Sequence, residues 1–121
     1  MVRAKIVSIR EYFRAMTPTE NGVPTVGPSK RMLGALPSET DSADGTFGPG
    51  TGGMSVSPDS PWPIPHHRRP RGMGRGATGP AQDWVFGIDN GALYAAALAA
   101  RLDPNNPARH AFVEPTTTMR L

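Results

Sequence analysis

What most restricts this chain is where it cannot be regular. Glycine and proline, 14 of each in 121 residues, interrupt it so often that only short runs remain in which a strand or helix can form. Proline has no amide to give to a ladder or a helix interior, and glycine costs chain entropy in both. From Thr17 to Gly53 the residues are turn formers: Asn21-Gly22, Gly27-Pro28, Asp44-Gly45, Gly48-Pro49-Gly50. From Pro58 to Gln82 the chain is irregular again, with spaced prolines leading into an Arg/Gly run. Loops this long in a compact domain are often functional or disordered.

The runs left between these breaks must carry the fold. "EYFRAM" predicts a strand over Glu11–Met16. Thr17-Pro18 ends it, because a residue before proline avoids the helical region. Upstream, Ile6, Val7 and Ile9 fit either a strand or a short helix. "MSVS" predicts a strand over Met54–Ser57, closed by Pro58. Alternation puts Ser55 and Ser57 on one face and Met54 and Val56 on the other. "WVFGI" (Trp84–Ile88) is apolar on both faces, which predicts a central strand. Asp89 or Asn90 then caps a helix, "GALYAAALAARL". Its Tyr94, Leu98 and Leu102 recur every four residues as a buried face, and Asp103-Pro104 stops it. "HAFVEP" (110–115) predicts a last strand, and Lys30–Leu36 a further short helix. With no repeat and no heptad, these pieces predict one mixed α+β domain over 1–121, with long Gly/Pro-rich loops.

The formal net charge is +3, and arginine dominates the basic residues. A planar guanidinium suits carboxylate and phosphate, so anionic partners are favoured. The chain has no cysteine, which excludes disulfides and thiolate metal sites. The N-terminal residues contain no apolar run of signal-peptide length, and no segment approaches the ~20 apolar residues that span a bilayer. A cytoplasmic location is expected, in the cell that makes the protein or in a target cell. Export would use a route that reads no signal peptide.

Few motifs carry chemistry. "GRGATG" (74–79) has the spacing of a dinucleotide fingerprint, but it lacks the preceding strand and following helix that give the fingerprint its meaning. The histidines, adjacent at His66 and His67 and alone at His110, do not form a zinc set, so no metal is expected. Ser55 has no nucleophile-elbow setting. "HHRRPRGMGRG" (66–76) reads as a solvated basic loop, a phosphate cradle or a polyanion-binding segment with Trp62 as its nearby stacking platform. Arg14 inside "YFRAM" is either exposed at an edge or placed to contact an anion. His110 and Glu114 share a strand face with Phe112 between them.

Taken in order, "YFRA", "TGGMSV" and "HAFVEPTTTM" resemble the type VI secretion effector toxins with an ADP-ribosyltransferase-like fold. "GMSVSPDSPWPIPHHRRP" is similar to the same toxin domain outside secretion systems. The resemblance implies a small split β-sheet domain of ADP-ribosyltransferase type, with a cleft for NAD between its halves. It also implies cleavage of the nicotinamide–ribose bond, with ADP-ribose transferred or NAD hydrolysed, and a dedicated immunity protein. Carried over by position, Arg14, Gly53, Ser57 and His110 would hold NAD, and Ser55 and Glu114 would be catalytic. The pattern departs from the wider superfamily in lacking a Glu-x-Glu pair. The similar toxins also continue into a C-terminal helix beyond the point matching Leu121. Two other readings are open: a non-enzymatic RNA or polyanion binder acting through 66–76, and an accessory domain that packs on a larger partner.

Overall fold

The computed structural model describes residues 10–27, 31–34, 46–50, 52–117 and 119–120. Its frame is a five-stranded antiparallel sheet with very little helix. The strands are β1 (Glu11–Met16), β2 (Thr46–Phe47), β3 (Met54–Pro58), β4 (Trp84–Asp89), β5 (Leu98–Leu102), β6 (Ala111–Pro115) and β7 (Met119–Arg120). One helix, α1 (Asn90–Ala95), precedes β5. The sheet order is β4-β1-β3-β6-β5, and β2 pairs separately with β7.

Four of these strands lie where the sequence predicts them, and proline or turn residues bound most of them. β1 is tied to β4 through six residue pairs, from Glu11↔Asp89 to Met16↔Trp84. Its other side is much less paired: β1 and β3 meet only at Tyr12↔Pro58 and Phe13↔Ser57. Beyond that seam β3 pairs with β6, which pairs with β5 along its whole length. The core lies against one face of the sheet. It contains Tyr12, Met54, Val56, Ala111 and Val113, with Leu93 of α1 closing over them. These strand residues are alternate positions, as a two-residue period requires.

Three expectations are corrected. "WVFGI" is an edge strand, since among the described residues β4 has β1 as its only neighbour in the sheet. Its apolar residues fit an edge because they are only partly covered, and Trp84 is exposed. The twelve-residue helix is a six-residue helix followed by a strand. Asp89 caps α1, its side chain accepting from the Ala92 amide at 2.7 Å. The chain then reverses at Ala97, whose φ is +59°, and enters β5. Tyr94 is 79% exposed, while Leu98 and Leu102 pack on the core from β5. The four-residue recurrence was therefore not a helix face. In β5 alternate residues face the core, which places Leu98, Ala100 and Leu102 together. Lastly, residues 31–34 form a turn and a bridge, Val26↔Leu33, rather than part of a helix. The strand-or-helix reading of residues 2–9 lies outside the described residues.

Candidate functional site: a basic cleft on a serine and phenylalanine floor

The face of the sheet away from the core carries a cleft of about 650 Å³. Cross-strand pairing sets its floor. Phe13 lies opposite Ser57, and Ser55 lies opposite Phe112. Directly paired residues share a face, so two hydroxyls sit mid-sheet with an aromatic ring on either side. A planar ring can lie against phenylalanine while its polar substituents reach a hydroxyl. The flanking loops make the walls. Pro63, Ile64, Pro65, His67 and Arg68 come from the β3–β4 connection; Asn106, Arg109 and His110 come from the β5–β6 connection. Among the described residues no aspartate or glutamate lines the cleft. Its charge is therefore positive, which attracts anions.

Both walls are stiff. On the β5–β6 side, the Asp103 amide donates to the His110 carbonyl at 3.0 Å and closes the loop. The Asp103 carboxylate takes the His110 ring at 2.9 Å and the Asn105 amide at 2.9 Å. The His110 hydrogen bond, helped by the Asn105 amide, holds the Asp103 carboxyl below its ordinary range. An ionised carboxylate only accepts, so Nδ1 of His110 donates the shared proton. His110 also stands edge-on to Phe112 at 4.7 Å.

The β3–β4 side folds around Arg69, which is 5% exposed. Its guanidinium reaches the carbonyls of Met73 and Arg75 at 3.5 and 3.4 Å and lies over the Trp62 ring at 5.7 Å. Arg69 is thus the loop's internal support. Of the basic run, Arg71 and Arg75 are exposed and Arg68 borders the cleft. The segment "GRGATG" contains turns and a bridge, Pro70↔Gly79.

The sequence-assigned residues divide. Arg14, Ser55, Ser57 and His110 border the cleft; Glu114 and Gly53 do not. Arg14 follows the inner row of Tyr12 and Met16 and is 3% exposed. Its guanidinium donates to the carbonyls of Ser55 at 2.7 Å, Met32 at 3.1 Å and Gly34 at 3.4 Å. A buried cation needs such partners. Here they lie where the β1/β3 ladder stops, so Arg14 bridges strands that no longer pair directly. Arg14 is therefore not the exposed edge residue that the sequence allowed.

Glu114 is also 3% exposed. Oε2 accepts the Gly52 amide at 2.8 Å and Oε1 the Gly50 amide at 3.2 Å. Arg101 grips both oxygens through Nε and Nη2 at 3.2 and 3.1 Å. Gly50 and Gly52 both have φ +81°, a left-handed conformation open to glycine at little cost. It lets alternate amides converge on one carboxylate. Glu114 therefore pins the glycine loop and β5 to β6. At Gly53 a side chain would collide with the Val113 carbonyl, so this glycine serves strand packing.

Sequence reasoning missed Phe13, Phe112 and Arg109 at the cleft and Arg101 as the partner of Glu114. The phenylalanines needed the strand register to become visible beside the serines. Arg101 was assigned to a helix. Arg109 has no local signature.

Among the described residues no group of three or more His, Asp or Glu is placed to hold a metal ion, and no helix is long and apolar enough to cross a membrane. Compared with known proteins, the chain matches no family model, no curated protein and no solved structure.

Proposed function

We propose that the chain binds a nucleotide in the basic cleft, NAD first among the candidates, as an ADP-ribosyltransferase-like toxin domain would. The observation that carries this reading is the floor, with Ser55 and Ser57 between Phe13 and Phe112 under basic walls. Hydroxyls can bond a carboxamide or a ribose, the rings can pack on a planar base, and the walls favour phosphate. The narrow β1/β3 seam supports a split-sheet type, because the sheet is nearly divided there. In this reading an immunity protein presents acidic residues to the walls.

The chemistry would be loss of nicotinamide from the ribose through an oxocarbenium-like transition state. A carboxylate near the ribose would stabilise the developing positive charge. Four donors already hold Glu114, and it does not line the cleft, so it would have to be released to act at the ribose. Ser55, Ser57 and His110 line the cleft and could orient the ribose.

The deciding experiment is addition of millimolar NAD to the purified chain, followed by melting temperature and nicotinamide release. Binding raises the melting temperature by mass action, and Ser57→Ala reduces the rise while remaining folded. No shift with NAD, together with no nicotinamide, overturns the reading. Tight, steeply salt-dependent binding of an RNA oligomer that is lost in an Arg71→Gln, Arg75→Gln variant would favour the polyanion reading.

A further inference from the structure

The geometry points to a diphosphate clamp, Arg68 on one wall and Arg109 on the other, that recognises the 5′-diphosphate of a nucleoside. The proposal rests on the nucleotide reading of the cleft and names the part of the ligand those walls take.

Three observations carry it. The two arginines come from separate connections that line the same cleft, and among the described residues no carboxylate lines it. Arg109 is exposed and has no side-chain hydrogen bond or ion pair among the described residues, so its guanidinium faces solvent at the cleft margin. Both arginines stand on braced backbone. The Arg109 amide donates to the Asn106 carbonyl at 3.1 Å, inside the loop that the Asp103–His110 pair closes. The Arg68 amide donates to the Pro65 carbonyl at 2.8 Å, in a turn stiffened by Pro63, Pro65 and Pro70 and supported by buried Arg69. A brace of this kind reduces the ordering cost when an anion is gripped.

The positive field at Arg68 is already balanced in part. Its charge is among those that hold the Asp83 carboxyl down, although Asp83 is engaged by Arg31 and Thr17. Among the described residues Arg109 has no ion pair, so it should contribute more. A single phosphate can satisfy one guanidinium bidentately. Two arginines from separate connections on one cleft are suited to two linked phosphates. The same cleft has the Ser55/Ser57 floor, where a ribose and base would follow.

The test is isothermal titration calorimetry of the full chain with adenosine, AMP, ADP and inorganic pyrophosphate at two salt concentrations. The expected order is ADP tightest, then AMP, with adenosine weakest. Arg109→Gln should weaken ADP about tenfold to a hundredfold, the usual range for losing a charge-assisted contact. It should leave adenosine unchanged and the melting temperature within a degree or so. Arg68→Gln should weaken ADP less, and Arg71→Gln, outside the cleft, should not change it. Equal binding of ADP and adenosine overturns the clamp, and so does an Arg109→Gln variant that holds ADP as well as wild type does. The two proposals can fail separately. ADP binding that depends on Arg109, in a chain that never releases nicotinamide, keeps the clamp and removes the cleavage. Nicotinamide release that is indifferent to Arg109 does the reverse.

Discussion

Replacing Glu114 by alanine tests the tertiary design most directly. The side chain accepts one well-placed amide bond at 2.8 Å from Gly52. Losing a charged acceptor for a buried amide costs about 2 kcal/mol. Gly50 is exposed and its bond is longer, at 3.2 Å, so water replaces Glu114 there at roughly 0.5 kcal/mol. Arg101 is 38% exposed at its side chain and can return to water, which puts its share at about 0.5 kcal/mol on the scale of exposed ion pairs. Glu114→Ala should therefore lose roughly 3 kcal/mol, or about 10–15 °C in melting temperature for a domain this size. Typical domains hold about 5–15 kcal/mol, so the variant should remain mostly folded. Glu114→Gln keeps an acceptor for Gly52 and should lose about half as much. Arg101→Ala leaves the buried carboxylate without its cation and should cost at least as much as Glu114→Ala. Urea unfolding of the three variants and the double mutant measures all of this. Glu114→Ala within 0.5 kcal/mol of wild type would refute the argument, as would strictly additive effects of Glu114→Ala and Arg101→Ala. The same numbers matter for function, because any activity lost in Glu114→Ala has to be compared with this loss of fold.

Further outcomes follow from the same contacts. Asp83 is 3% exposed and takes Arg31 at 2.8 and 2.9 Å and Thr17 at 2.9 Å; Asp83→Ala should cost about 3 kcal/mol in urea unfolding, the low end for breaking a buried pair because Arg31 is partly exposed. Burial pushes the Asp83 carboxyl up, but the bonds from Arg31 and Thr17 and the charges of Arg31 and Arg68 outweigh it and leave it lowered. A carboxyl with a lowered folded value adds stability that is present above its unfolded value, near 4, and lost as pH falls through the folded value. Melting temperatures measured from pH 6 downward should therefore begin to fall near pH 4, and Asp83→Asn should flatten that fall. Ala97 holds φ +59° at the reversal between α1 and β5; Ala97→Gly should gain about 0.5 kcal/mol, the relief of a left-handed alanine less the entropy of glycine, seen as a rise of a few degrees in melting temperature.

The particular misreadings are instructive because each traces to the register. "GALYAAALAARL" scores well as a helix on alanine and leucine content. Propensity differences of a few tenths of a kcal/mol per residue lose to what Leu98–Leu102 obtain as a strand: a ladder to β6 and a place for Leu98, Ala100 and Leu102 on the core. With β5 in the sheet, Arg101 comes beside Phe112 and reaches Glu114. That pair was therefore out of reach while 101 was assigned to a helix. Arg14 was singled out correctly as unusual, but its partners are main-chain carbonyls from residues 32, 34 and 55, and nothing local to "YFRAM" points to them.

Local chemistry alone settled where strands could exist. Prolines and glycines break the chain, alternation sorts each remaining run into two faces, and so β1, β3, β4 and β6 were readable, with Ser55 and Ser57 sharing a side. Strand order and register were decided only by the folded chain, because pairing energy depends on partners far apart in sequence that no local pattern encodes. That is why the rings flanking the serines, the arginines that share the cleft and the cation held by Glu114 emerged only in three dimensions.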